Sequence, residues 1–185
     1  MTSGSTVYRL PQANWALEFG TSAVETLRKH VQASIGSKES VGQLYSKDLT
    51  GDRLVIDVAT ALKPTWAAWA KVRFDTKQAM AEREALFDRG LHCIGLWHTH
   101  PEPNPTPSSE DRALARDHAL AAAPQLSGLV FAIVGTLPMP AGLRVWVHDG
   151  RELLASEALS ESVVQDELAI PSKQKRKPSE RQIRP

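Results

Sequence analysis

Two imidazoles and a carboxylate lie within a short stretch of this 185-residue chain: His98-Thr99-His100-Pro101 is followed by Ser108 and Asp111. Those side chains at that spacing can hold a catalytic metal ion. Two histidines at i and i+2 of a strand project from the same face. The apolar run Leu91-His92-Cys93-Ile94-Gly95-Leu96-Trp97 leads into the pair and reads as such a strand. Three ligands of N, N and O type leave the fourth tetrahedral position to water, as in catalytic rather than structural zinc sites. The chemistry indicated is metal-dependent hydrolysis, with zinc the first expectation, although affinity order and availability leave other divalent ions open.

The carboxylate must be brought back to the strand end. Pro101, Pro103, Pro105 and Pro107 stiffen the connection, each fixing its own φ and biasing its predecessor towards extended backbone. Ser108 then reads as the N-cap of a helix running to about Ala123, with Asp111 at its third position and facing the strand end. Leu114, Ala115, His118, Ala121 and Ala122 recur at helical spacing, and Pro124 ends the run. Taken alone, Ser108 and Asp111 also make a capping pair for orphan N–H groups, so the metal reading rests on the whole set.

The stretch from His98-x-His100-Pro101 to Asp111, with ten residues between His100 and Asp111 and Ser108 three residues ahead of Asp111, resembles the signature of the JAMM metalloproteases, also called JAB or MPN-plus. The resemblance implies a zinc isopeptidase that cleaves at the C-terminus of a ubiquitin-like protein, with His98, His100 and Asp111 as zinc ligands. It also implies that Ser108 stabilises the tetrahedral oxyanion and that an upstream glutamate is the general acid/base. Glu39-Ser40-Val41-Gly42-Gln43-Leu44-Tyr45-Ser46 matches the glutamate, second glycine and leucine of the family's E-x-G-G-x-L-x-G pattern, with Val41 and Ser46 in place of its other glycines. Glu39 is therefore the expected base. Glu18 competes from the solvent face of an early strand, whereas Glu25, three residues after Ser22, reads as half of a capping box.

Amide hydrolysis requires such a group whatever the family. Zinc lowers the pKa of bound water to about 7 and polarises the scissile carbonyl. A positioned carboxylate can take the water proton and deliver it to the leaving amine, worth about 10²–10⁴-fold. Ser108 would donate to the oxyanion. No covalent intermediate is expected, and the lone Cys93, inside an apolar strand, reads as core filling. His118 is a weak candidate for a group behind Asp111; His30, His92 and His148 have no partner at ligand spacing.

The surrounding pattern is alternating α and β. Strands are expected at about 15–19, 39–46, 53–61, 128–134 and 143–148, with a turn at 48–52 that suggests a hairpin. Helices are expected from Ser22 to about Ser34 and over about 76–89, the latter capped by Asp75 and closed by Gly90. Helices and a mixed sheet make an α/β sandwich, similar to the MPN/JAB1 and cytidine-deaminase-like folds. Residues 1–171 read as one domain, long enough for a sizeable core. The tail 172–185 holds six basic residues against Glu180, a net +5 that leaves the rest at −4 of the total +1. Such a tail is expected to be disordered and solvated, and nucleic-acid binding is not favoured because no aromatics interleave with the charges.

Trp66 and Trp69 lie close in sequence to where related enzymes insert a substrate-contacting segment, and they are equally candidates for partner binding, for core residues or for one helical turn. A single Cys excludes an internal disulfide framework and points to the reducing cytoplasm. No apolar run approaches the roughly 18 residues of a membrane span, and Met1-Thr2-Ser3-Gly4-Ser5 is unlike a signal peptide.

The sub-family resemblance is to prokaryotic deconjugating peptidases of ubiquitin-like systems in antiphage defence, with a ubiquitin-like protein, its conjugates and cognate E1/E2-like proteins as partners. Three alternatives share the fold: a peptidase acting on a sulfur-carrier conjugate, a non-catalytic MPN-type scaffold, and a DNA-associated member.

Overall fold

The computed structural model describes residues 5–160 apart from Gln12, Ile35, Trp69 and Ala70, and the side chains of 64–74 are not among those described. The basic tail 172–185 and the end of the expected domain, 161–171, lie outside the described residues. In chain order the elements are β1 (Thr6–Arg9), β2 (Ala16–Phe19), α1 (Thr21–Lys29), β3 (Val41–Ser46), β4 (Arg53–Ile56), β5 (Val58–Ala59), β6 (Pro64–Ala68) and β7 (Lys71–Phe74). They continue with α2 (Thr76–Phe87), β8 (His92–Thr99), α3 (Ser109–Ala122), β9 (Leu129–Val134), β10 (Leu143–His148), β11 (Leu153–Ala155) and β12 (Glu157–Ala158).

The expected mixed α/β architecture is present, with its strands divided between two sheets and a hairpin. A six-stranded sheet runs β11-β10-β9-β8-β3-β5, a four-stranded sheet runs β12-β1-β2-β4, and β6 pairs with β7. In the larger sheet β8 and β9 are parallel and the other pairs antiparallel. A parallel pair needs a long crossover, which the proline arm and α3 supply between β8 and β9.

Alternation sorts the core. Val130, Ala132 and Val134 of β9 face a cluster with Leu17 and Phe19 of β2, Val24 and Leu27 of α1, Leu44 and Trp97. Leu129, Phe131 and Ile133 face the opposite side, with Ala115 and Ala119 of α3 and Trp146. The four-stranded sheet and α1 thus cover one face, and α3 covers the other. Burial on both faces is why β9 reads as an unbroken apolar run, and each fully buried large side chain contributes roughly 1.5–3 kcal/mol. Helix α2 buries Ala79 and is fastened by polar contacts: Glu82 Oε1 accepts from Gln43 Nε2 at 2.8 Å, Tyr45 OH at 2.9 Å and Thr60 Oγ1 at 2.5 Å.

Several expectations are corrected. Helix α1 ends at Lys29, not near Ser34, because the His30 Nδ1–H donates to the Thr26 carbonyl at 2.8 Å and Val31 leaves the helix. Its N-cap is Gly20 with no side-chain cap bond, so Ser22 and Glu25 form no capping box. The single strand expected at 53–61 is split at Asp57, whose N–H donates to the Tyr45 carbonyl and whose Oδ2 accepts the Lys47 N–H. Before the break β4 lies parallel to β2; after it β5 makes the expected hairpin with β3. The helical-turn reading of Trp66 gives way to a strand, Trp66 pairing with Arg73 across the β6–β7 hairpin; Trp69 lies outside the described residues. Strands β1, β11 and β12, of two to four residues, are too short to show a period in sequence.

The β3–β8 pairing depends on Gly42, which stands opposite Trp97. A Cβ there would overlap the Thr60 carbonyl oxygen and reach to 2.5 Å from Trp97 Nε1, where the indole N–H donates to that same oxygen at 2.8 Å. Gly42→Ala is expected to lower stability by about 1–3 kcal/mol through overpacking, read as a fall in the urea midpoint at unchanged m-value. A midpoint like that of the wild type would show that this contact is not tight.

Candidate metal centre

Strand β8 carries the two histidines to its end. His98 lies in register with Val41 of β3 and Ile133 of β9, and the His100 N–H donates to the Val134 carbonyl at 2.9 Å as the ladder closes. From Pro101 the chain leaves the sheet but stays against it: the Thr136 N–H donates to the Glu102 carbonyl at 2.9 Å. Gly135 makes that seat possible. A Cβ at this position would stand 2.5 Å from the Glu102 oxygen, 2.6 Å from Pro105 Cδ and 2.8 Å from the Pro103 oxygen. The close approach was missed in the sequence, where its one signal is a glycine directly after an apolar strand.

The arm ends in the expected cap. Ser108 is the N-cap of α3, its Oγ accepting the Asp111 N–H at 3.1 Å, while Asp111 Oδ2 accepts the Ser108 N–H at 2.8 Å. This is a reciprocal capping box with Asp in the third position. The box fixes the Asp111 carboxylate, and both of its oxygens also face the histidines.

His98 Nε2 and His100 Nε2 are 3.0 Å apart, His98 Nε2 lies 3.2 Å from Asp111 Oδ1, and His100 Nε2 lies 3.5 Å from Asp111 Oδ2. Two ligand atoms, each about 2.0–2.1 Å from a zinc ion at tetrahedral angles, stand about 3.3–3.4 Å apart, so the donor set fits a small divalent ion. Two imidazole lone pairs do not face each other at 3.0 Å without a proton or a cation between them. The three side chains are partly buried, and the site opens at the carboxyl ends of the parallel pair β8 and β9, where α/β sheets commonly bind ligands.

Electrostatics point the same way. Burial pushes the Asp111 carboxyl up, but hydrogen bonds with His100, His98 and Ser108 hold it well below the usual carboxylate range. The His100 imidazole is raised, chiefly by its hydrogen bond to Asp111. Glu39, half-buried just before β3, is raised by burial and feels His98, His100 and Asp111. The carboxylate expected to act as base is therefore within electrostatic reach of the triad.

The competitors are elsewhere. Glu18 pairs with Arg53 at 3.0 Å across β2 and β4, and Glu25 is exposed on α1. His118 does not stand behind Asp111: seven residues along α3 is about 10 Å of rise, and His118 lines a separate cleft with Arg83, His92 and Cys93. The Cys93 thiol is mostly buried, and burial raises its pKa, in keeping with an unreactive role.

Residues 21–149 match the family described as prokaryotic homologs of the JAB domain. The chain belongs to this family. A Pseudomonas aeruginosa protein named CD-NTase/cGAS isopeptidase is 36% identical over 105 residues, which are 52% of this chain and 63% of that protein, so the match spans less than two thirds of the relative. The solution structure of DSY2949 from Desulfitobacterium hafniense superposes with a TM-score of 0.52 over 72% of this chain and 83% of that one, at 19% identity, and shares the fold. Among the described residues no helix is long and apolar enough to cross a membrane.

Two outcomes separate the arm from the cap. Gly135→Ala is expected to lift the arm and weaken divalent-metal binding by about 10–100-fold, as loss of supporting contacts around a metal site does, measured by competition with a chromophoric chelator. Ser108→Ala is expected to cost the metal-free protein about 1 kcal/mol, the worth of an N-cap, in a denaturation experiment. Unchanged metal affinity in the first variant would show that the arm is not seated at Gly135.

Proposed function

We infer that this chain is a zinc-dependent isopeptidase of JAMM type that cleaves after the C-terminus of a ubiquitin-like protein, processing its precursor or releasing it from conjugated targets in bacterial antiphage defence. The observation that carries the reading is the meeting of His98, His100 and Asp111, within electrostatic reach of Glu39, at the carboxyl end of β8. The name of the Pseudomonas relative supports an isopeptide bond as substrate and suggests a CD-NTase/cGAS-like protein as the conjugated target. Cognate E1/E2-like proteins would be further partners.

His98, His100 and Asp111 would hold the ion. When bound, zinc supplies a Lewis acid that polarises a carbonyl and makes water a nucleophile at neutral pH. Glu39 takes a proton from the water as its oxygen adds to the scissile carbonyl carbon, and returns it to the lysine amine as the C–N bond breaks, so no external acid is needed. Burial suits it to this work, because a raised carboxyl pKa brings proton uptake closer to the operating pH. Ser108 stabilises the oxyanion. Its hydroxyl donates to Asp111 Oδ2 at 2.8 Å in this structure, so that role requires the O–H to turn from the carboxylate to substrate. We place contact with the ubiquitin-like protein on the β6–β7 hairpin, the backbone of which carries Trp66, together with the neighbouring Trp69.

The test is a panel of ubiquitin-like proteins with C-terminal reporter fusions, incubated with purified protein with and without a chelator. Chelator-sensitive release and about one zinc per chain are expected. Glu39→Gln should retain the zinc and lose about 10²–10⁴-fold in kcat. Neither metal binding nor release of any fusion would overturn the reading in favour of a non-catalytic scaffold.

A further inference from the structure

We propose that Thr99, the residue between the two histidines, is a positioning residue that clamps the Glu39-Ser40 segment and so sets the base against the metal centre. The inference rests on the reading of Glu39 as the base and adds the residue through which β8 controls it.

On β8 alternation sends His98 and the neighbouring His100 to the site and Thr99 to the opposite side. Thr99 is fully buried. Its Oγ1 accepts the Ser40 N–H at 2.9 Å, and its own N–H donates to the Ser40 carbonyl at 3.0 Å. In an ordinary hydrogen-bonded antiparallel pair the two residues exchange backbone bonds in both directions. Here one of the two is made by a side chain, one step beyond the last ladder pair, Val41 with His98.

The substitution has a consequence for Glu39. It lies one residue upstream of the clamped Ser40, outside β3, and none of the backbone hydrogen bonds among the described residues starts or ends on it. On its β3 side its placement is inherited from Ser40, while upstream Ser37 is bonded to Ser34 and Gln32. The ligand histidines do not share this dependence, because β8 is held on both sides by β3 and β9. Loss of the Thr99 hydroxyl should therefore separate the two halves of the site: the ligands stay and the base drifts. Residues other than serine and threonine cannot offer a hydroxyl at this depth, and valine matches the shape of threonine without it.

The experiment compares Thr99→Val, Thr99→Ser and Glu39→Gln as full-length zinc-loaded proteins, using whichever ubiquitin-like fusion the wild type releases fastest. For Thr99→Val we expect kcat to fall about 10–100-fold, the scale of a misplaced catalytic group, with KM and zinc affinity within about 3-fold of wild type and faster hydrogen exchange at the Ser40 amide. Thr99→Ser should restore both kcat and the protection. Zinc affinity lost together with kcat would overturn the proposal by assigning Thr99 to the histidines. Unchanged Ser40 exchange in Thr99→Val would overturn it whatever the turnover. Full turnover in Thr99→Val beside an inactive Glu39→Gln would remove the clamp alone, whereas full turnover in Glu39→Gln would remove the base assignment itself.

Discussion

The register of β8 between its two neighbours is the constraint on which the candidate site depends. A slip of one residue would turn His98 into the core and Thr99 out to solvent, because side chains alternate with a period of two. Both neighbours oppose that slip. Gly42 and Gly95 allow backbones and side chains from β3, β8 and β9 to approach at distances no Cβ would permit, and Trp97 locks its indole to the Thr60 carbonyl from within the same strand. The histidines are thus presented by a strand whose position is over-determined, which suits ligands that must converge within a few tenths of an ångström.

Asp111 shows how one side chain can serve two purposes without conflict. As the third residue of α3 it closes the capping box with Ser108, and as a carboxylate in the first turn it is favoured by the helix dipole. Hydrogen bonds with His100, His98 and Ser108 keep it ionised, and the capping box already orients it, so less ordering entropy remains to be lost on binding an ion. The capping reading and the metal reading of Ser108 and Asp111 are therefore not alternatives. In the proposed reading, the cap is how the ligand is delivered.

The most legible parts of this molecule were those set by local chemistry. Asp75 capping α2, Ser108 capping α3, the strand that runs into His98 and the apolar runs of β9 and β10 could all be read from neighbours in sequence. What escaped was settled by distant partners. Nothing near Asp57 announces that the chain changes sheets there, since the acceptor of its N–H is the Tyr45 carbonyl. Helix α1 stops early through a histidine ring on a carbonyl one turn back, a bond that periodicity does not register. The close seat of the proline arm on Gly135 joins residues some thirty positions apart, and its one signal in sequence is a glycine directly after an apolar strand. The choice of Glu39 over Glu18 leaned on resemblance until the packing paired Glu18 with Arg53.

Three segments reach the site by separate routes: β8 brings the imidazoles, α3 brings the carboxylate, and the approach to β3 brings Glu39. The first two are tied to each other through β9, by Val134 to His100 and by Gly135 and Thr136 to the arm. The third meets β8 at Ser40, and upstream its Ser37 is held by Ser34 and Gln32. In the proposed reading, metal binding and proton transfer draw on different parts of the fold, and each can be damaged alone. On that reading, the site could hold an ion while Glu39 is adjusted by small changes where β3 begins, with no movement of His98, His100 or Asp111.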